Sequence, residues 1–220
     1  MLVPGLAAVG YFDWLDDHPA ARPAYAAAKI FILAWPILAT LCILRMPLRP
    51  PLRPLSRHLK ALPAGLLVGL PIAGLMALWM AIPPLAEVVV GGAAGVKDKV
   101  EDLGFLEHFI PFALYVTFIH SLLEEYYWRW FVYGNLRHCL PRPAAHVLAG
   151  AAFSLHHIAV TAQFFPLPWA LFFSASVGLG GIFWSLLYQR QGTLAGAWIS
   201  HAVVDAALMI LGYYLLNSPS

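Results

Sequence analysis

Apolar residues dominate this chain in blocks of roughly 20, broken by prolines and short clusters of charge, and a block of that length wound as an α-helix crosses a bilayer. The first block covers about 24–44, with Pro36 as a kink, and the second about 62–82, stopping at Pro83-Pro84. A third begins near 108–111 and continues to Arg137, longer than a straight span requires, so it is expected to tilt or to project into the cytoplasm. Pro141 and Pro143 close that turn, and three more blocks follow at about 144–160, 168–188 and 193–216. The pattern predicts an all-α fold, a polytopic transmembrane helical bundle of about six spanning helices. It reads as a single transmembrane domain over 1–220, with peripheral helices in about 24–82 and the polar motifs in a core of about 108–216.

The polar breaks are of different kinds. Residues 11–23 set Tyr11, Phe12, Trp14 and Leu15 among Asp13, Asp16 and Asp17, the mixture expected of a segment lying at the membrane interface. Met1 to Gly10 lacks the basic residues of a signal peptide and is expected to be part of the mature protein. Arg45 to Lys60 carries Arg45, Arg49, Arg53, Arg57 and Lys60, four prolines and no acid, which marks a cytoplasmic loop by the positive-inside rule. Glu87 to Glu107 mixes Lys97 and Lys99 with five acids and reads as the one sizeable loop, on the opposite side.

Composition sharpens the class. With 61% hydrophobic and 11% charged residues, against roughly 25% charged in soluble domains, the chain is not a water-soluble globule. A net charge of +2 is too small to suggest a nucleic-acid partner. The expected partners are the lipid bilayer and whatever the site within it acts on. Cys42 and Cys139 fit neither a disulfide framework nor a cysteine metal site and are expected to be packing residues.

Charge inside a predicted span costs at least about 2.5–3.5 kcal/mol near the bilayer centre, so it is read as functional by default. The third block contains Leu122-Leu123-Glu124-Glu125-Tyr126-Tyr127-Trp128-Arg129-Trp130. Glu125 and Arg129 stand four apart on one helical face, while Glu124 is turned about 100° away and cannot share the arginine equally. Glu124 is thus left free to act as a general base, with His120 one turn before it. The same pattern is also what an ion network that merely fixes helix packing would show. Two further sets lie in the later blocks: Phe153 with His157, and His201 with Asp205, each pair at i and i+4. At about 1.5 Å per residue, Glu124 lies roughly 20 Å from Arg137, His157 roughly 21 Å beyond Pro143 and His201 roughly 12 Å beyond Thr193, so all can share a depth. Ionisable residues from three helices at matching depth exceed what packing needs and point to a buried reaction site. His156, about 100° from His157, is the weaker of that pair, and His58, His138 and His146 are expected to be surface or interface residues.

Glu124-Glu125-x-x-x-Arg129, Phe153-x-x-x-His157 and His201-x-x-x-Asp205, in this order on membrane helices, resemble the three motifs of the CaaX-protease and bacteriocin-processing family of intramembrane, glutamic-type endopeptidases. The motifs cover 124–205; the first two helices resemble the family only as hydrophobic segments. The resemblance implies an intramembrane endopeptidase that hydrolyses a peptide bond in a membrane-anchored or lipidated protein or peptide. It implies that Glu124 activates water, aided by His157, that His201 and Asp205 face the scissile carbonyl oxygen, and that Glu125, Arg129 and Phe153 support the architecture. No cofactor is implied. One departure is Asp205, where the family often has Asn: an amide donates to an oxyanion, whereas Asp205 donates only if protonated, and could instead hold the tautomer of His201 or help bind a metal. Should a divalent metal such as zinc be used, His157, His201, Asp205 and Glu124 would be its ligands. Two other function classes remain open on sequence: a catalytically silent binding or immunity protein of the same fold, and a proton-coupled transporter using the same groups as a relay.

The distribution of charge orients the chain. Arg45, Arg49, Arg53, Arg57, Lys60, Arg129, Arg137, Arg142 and Arg190 fall on one side or its helix ends, whereas every acid except Glu124, Glu125 and Asp205 falls on the other. The expected localisation is a multi-pass protein of a bacterial inner membrane, both termini outside. A cysteine placed at Asp98 should therefore react with an impermeant thiol reagent in intact cells; reaction only after the membrane is opened would reverse the orientation.

Overall fold

The computed structural model describes residues 21–46, 53–102 and 104–217, and within them every regular element is a helix. α1 (Ala21–Leu38) carries Pro36 and runs on through a π-helical turn (Ala39–Ile43). α2 (Leu55–Trp79) and α3 (Pro83–Asp102) follow. α4 is one continuous helix over 109–139, in which π-helical stretches (Tyr115–His120 and Tyr126–Tyr133) alternate with α-helical ones. α5 (Arg142–Thr161), α6 (Leu167–Gln191) and α7 (Ala195–Asn217) complete the bundle. By length and composition α2, α5, α6 and α7 are apolar enough to cross a membrane, and α1 contributes a shorter apolar stretch, Ile30–Ile43. The six expected helices form, five of them within a few residues of the bounds read from the pattern and the second starting seven residues earlier, at Leu55. The outward faces are rich in exposed Leu, Ile and Phe, as a lipid-facing surface must be.

Two expectations are corrected. The region expected as a loop over 87–107 is mostly α3. Pro83-Pro84 does end the preceding helix, but proline is equally suited to a first turn, where no intrahelical N–H is required, so the same pair starts the next one. Leu85 and Gly92 of α3 are buried, Gly92 against Phe164 and Phe165. The basic segment is also shorter than expected: α2 begins at Leu55, so Arg57, His58 and Lys60 belong to its first turns. Arg57 Nε donates to the Gln191 carbonyl at 3.0 Å and Arg53 Nε to the Gly192 carbonyl at 3.3 Å, which covers orphan carbonyls at the end of α6. The interfacial segment expected at 11–23 lies largely outside the described residues, as do Met1 to Gly10 and Arg49. Cys42 and Cys139 are exposed on the bundle surface, not packed inside it.

Apolar side chains cannot draw membrane helices together against equally apolar lipid, so close approach at small residues does it. α2 lies along α7 and α5 along α6. A Cβ on Gly65 would collide with the Gly196 carbonyl oxygen, and one on Gly150 would stand 2.7 Å from the Gly178 carbonyl oxygen. α4 threads between these pairs, its earlier part against α7 and its Tyr126–Tyr133 stretch against α5. The π winding is matched by side-chain donors reaching α4 carbonyls: Ser121 Oγ to Thr117 at 2.5 Å, Trp198 Nε1 to Phe118 at 3.0 Å and Asn135 Nδ2 to Phe131 at 2.6 Å.

Gly150→Ala should force α5 and α6 apart and cost about 1–3 kcal/mol of stability. Gly74→Ala, where nothing lies within 4 Å of the new methyl group, should be neutral or better. Thermal unfolding in detergent of the two variants checks this, and equal behaviour would mean that the close contact does not hold the pair.

Candidate active site

Glu124 and Glu125 are the last two residues of the central α-helical stretch of α4, and the π-helical stretch that follows carries Arg129. Hydrogen bonds from i to i+5 turn each residue through a smaller angle than in an α-helix, so Tyr127, Trp128, Arg129, Val132 and Tyr133 all fall on the buried arc. Arg129 Nη1 reaches Glu125 Oε1 at 3.1 Å, and both side chains are almost wholly buried. The guanidinium lies over the rings of Phe153 (4.5 Å to the centroid) and Trp184 (4.9 Å), contacts worth about 2 kcal/mol or more when desolvated.

The same Glu125 Oε1 accepts from His201 Nδ1 at 2.8 Å. That hydrogen bond fixes the proton on Nδ1 and turns Nε2 toward the gap between Glu124 Oε2 and Asp205 Oδ1, each 3.6 Å away. Trp184 stacks flat on the His201 ring, centroids 4.0 Å apart, and is itself held by Nε1–H donation to Ser200 Oγ at 2.9 Å. Glu124 makes no pair with Arg129. Its Oε1 lies 3.4 Å from His120 Nε2 and 3.7 Å from His156 Nε2. His157 donates Nδ1–H to the Phe153 carbonyl at 3.0 Å, with its ring edge-on to the Phe153 ring. A cleft beside Glu124 is lined by Ile32 and Leu33 of α1, His120, Leu123, Tyr127 and Trp128 of α4, and His156 of α5.

The structure thus brings Glu124, Glu125, Arg129, Phe153, His157, His201 and Asp205 into one buried cluster built by α4, α5 and α7. Three features differ from the reading of the sequence. His156 is no bystander: it faces Glu124 as His157 does. Among the described residues, those that could hold a metal ion are Glu124, His156 and His157, whose ligand atoms lie within 4.8 Å of one another; His201 and Asp205, expected in such a set, are absent from it. Glu125 serves two partners, Arg129 and His201, where the spacing pointed to the arginine alone.

His146, expected at the surface, is buried: its Nδ1 meets Ser185 Oγ at 2.6 Å, its Nε2 meets Gln189 Oε1 at 3.0 Å, and its ring stacks on Tyr133. His58 bonds Thr193 Oγ1 at 2.5 Å, and His138 is exposed. Trp184 was not legible, since it lies outside the motifs; its only signal is a large aromatic residue shortly after Gly181, whose missing side chain leaves room for the Arg129 guanidinium.

A buried carboxylate facing imidazoles beside a cleft in a membrane bundle defines the class as a candidate intramembrane hydrolase. Residues 106–207, just under half of the chain, match the family model described as Type II CAAX prenyl endopeptidase Rce1-like. No curated protein matches the chain, and no solved structure does.

The geometry separates the two glutamates by role. Glu125→Gln leaves Arg129 buried without its counter-charge, which should cost about 3–5 kcal/mol. Glu124→Gln should unfold close to the wild type. Equal melting of the two variants would refute the division.

Proposed function

We propose that this protein hydrolyses a peptide bond in a membrane-anchored or lipidated protein or peptide, using water activated by Glu124 without a metal ion. The observation that carries the reading is that Glu124 lines the cleft, is free of Arg129 and has imidazoles on several sides. Its carboxylate is free to take a proton because the strong cation of the site is committed to Glu125.

The steps follow from the placement of the side chains. A segment of substrate reaches the cleft past the apolar walls that Ile32, Leu33 and Leu123 present, which favours a chain already at the membrane; a short local segment exposes few backbone groups to hydrocarbon. Glu124, aided by His157, takes a proton as the water oxygen bonds to the carbonyl carbon, and the carbonyl π electrons move to oxygen. His201, held by Glu125 and Trp184 and carrying a proton on Nε2 as well as on Nδ1, and a protonated Asp205 face that oxyanion as donors. The C–N bond then breaks as Glu124 returns its proton to the leaving nitrogen. Glu125 and Arg129 take no part in proton transfer; they and Phe153 hold the geometry.

Glu124→Gln should reduce cleavage of a membrane-anchored reporter peptide by at least about 10²–10⁴-fold, since an amide cannot accept the proton. Asp205→Asn should keep substantial activity, because the amide N–H replaces the acid O–H as donor. Cleavage assays in proteoliposomes, with and without a strong chelator, check both. Activity retained in Glu124→Gln would refute the assignment of the base, and loss of wild-type activity to the chelator would refute the metal-free mechanism. No cleavage by the wild type under any condition would favour a silent binding protein of the same fold.

A further inference from the structure

Beyond the groups that the proposed hydrolysis uses, the site holds His156. We infer that Glu124, His156 and His157 form a binding site for a zinc-like divalent ion, and that the bound ion inhibits the protease. The regulatory half of this inference rests on the hydrolytic role proposed for Glu124.

The ligand chemistry is that of zinc: two imidazoles and a carboxylate, with ligand atoms within 4.8 Å of one another. His156 Nε2 stands 3.7 Å from Glu124 Oε1, close to the separation of two ligands on one tetrahedral ion at about 2.0–2.2 Å from each. His157 carries the outer support that a metal-binding imidazole needs. Its Nδ1–H is committed to the Phe153 carbonyl at 3.0 Å, so Nε2 is the nitrogen with a lone pair to offer, and the ring is fixed by its edge-on contact with the Phe153 ring. A route exists, since Glu124 and His156 both line the cleft. Water would complete the coordination.

An ion held there takes the lone pairs with which Glu124 would accept a proton, and it occupies the space of the attacking water. Hydrolysis then stops until the ion leaves. His156 is what separates this site from the reaction: ion binding needs it, whereas the proton transfers written above run through Glu124 with the aid of His157 and do not use His156.

The test uses the full chain, purified in detergent and stripped with a chelator, in a Cys42→Ser/Cys139→Ser background because both thiols are exposed. Cobalt(II) serves as the spectroscopic probe and zinc as the inhibitor. One equivalent of cobalt should give visible absorption bands of a histidine-ligated ion. His156→Gln should weaken binding by at least about 10–100-fold, and zinc should inhibit cleavage over the same concentrations, each variant being compared with its own stripped rate. Absence of a stoichiometric cobalt band, or equal affinity in His156→Gln, overturns the site while leaving the metal-free hydrolysis standing. Binding that restores activity to an inactive stripped enzyme overturns both the inhibitory role and the metal-free mechanism.

Discussion

One carboxylate oxygen, Oε1 of Glu125, carries the architecture of the site. It meets a guanidinium from its own helix and an imidazole from α7, all three groups being withdrawn from both water and lipid. Charges so placed are costly to bury and more costly to leave unpaired, so α4 and α7 are tied at one register: sliding either by a residue would strand a charge. The aromatic layer has the same logic. Phe153 from α5 and Trp184 from α6 cover the guanidinium, which extends the tie to two more helices without adding a further charge. Lysine could not replace this arginine, because a compact ammonium lacks the flat faces that the rings cover.

With Glu125 so committed, its neighbour gains its character by exclusion. Adjacent residues on a helix diverge by about 100°, and here that divergence separates a glutamate that holds the structure from one that faces the cleft. Identical side chains thus acquire different chemistry from direction alone.

Much of this was legible in the sequence. Six helices followed from apolar block length, and the convergence of Glu124, His157, His201 and Asp205 followed from counting residues to a common depth. What escaped has physical reasons. The π-helical stretches of α4 are invisible to any reading that assumes a 3.6-residue period, and they change which residues face inward between Tyr126 and Tyr133. Angular reasoning set His156 apart from His157, but both imidazoles come within reach of Glu124. His146 sits near a helix end, where the pattern alone does not tell surface from interior. The α3 helix was hidden by prolines, whose power to end one helix and to begin the next is the same property.

The first helix has a different standing from the rest. Among the described residues its main hold on the bundle is along Tyr126–Tyr133, including the hydrogen bond from Tyr126 Oη to the Leu33 carbonyl at 3.2 Å, while Ile32 and Leu33 form one wall of the cleft. Its described side chains supply shape to the opening. Under the proposed function, changes in α1 can therefore reshape one wall of the opening while the charged cluster behind it stays as it is.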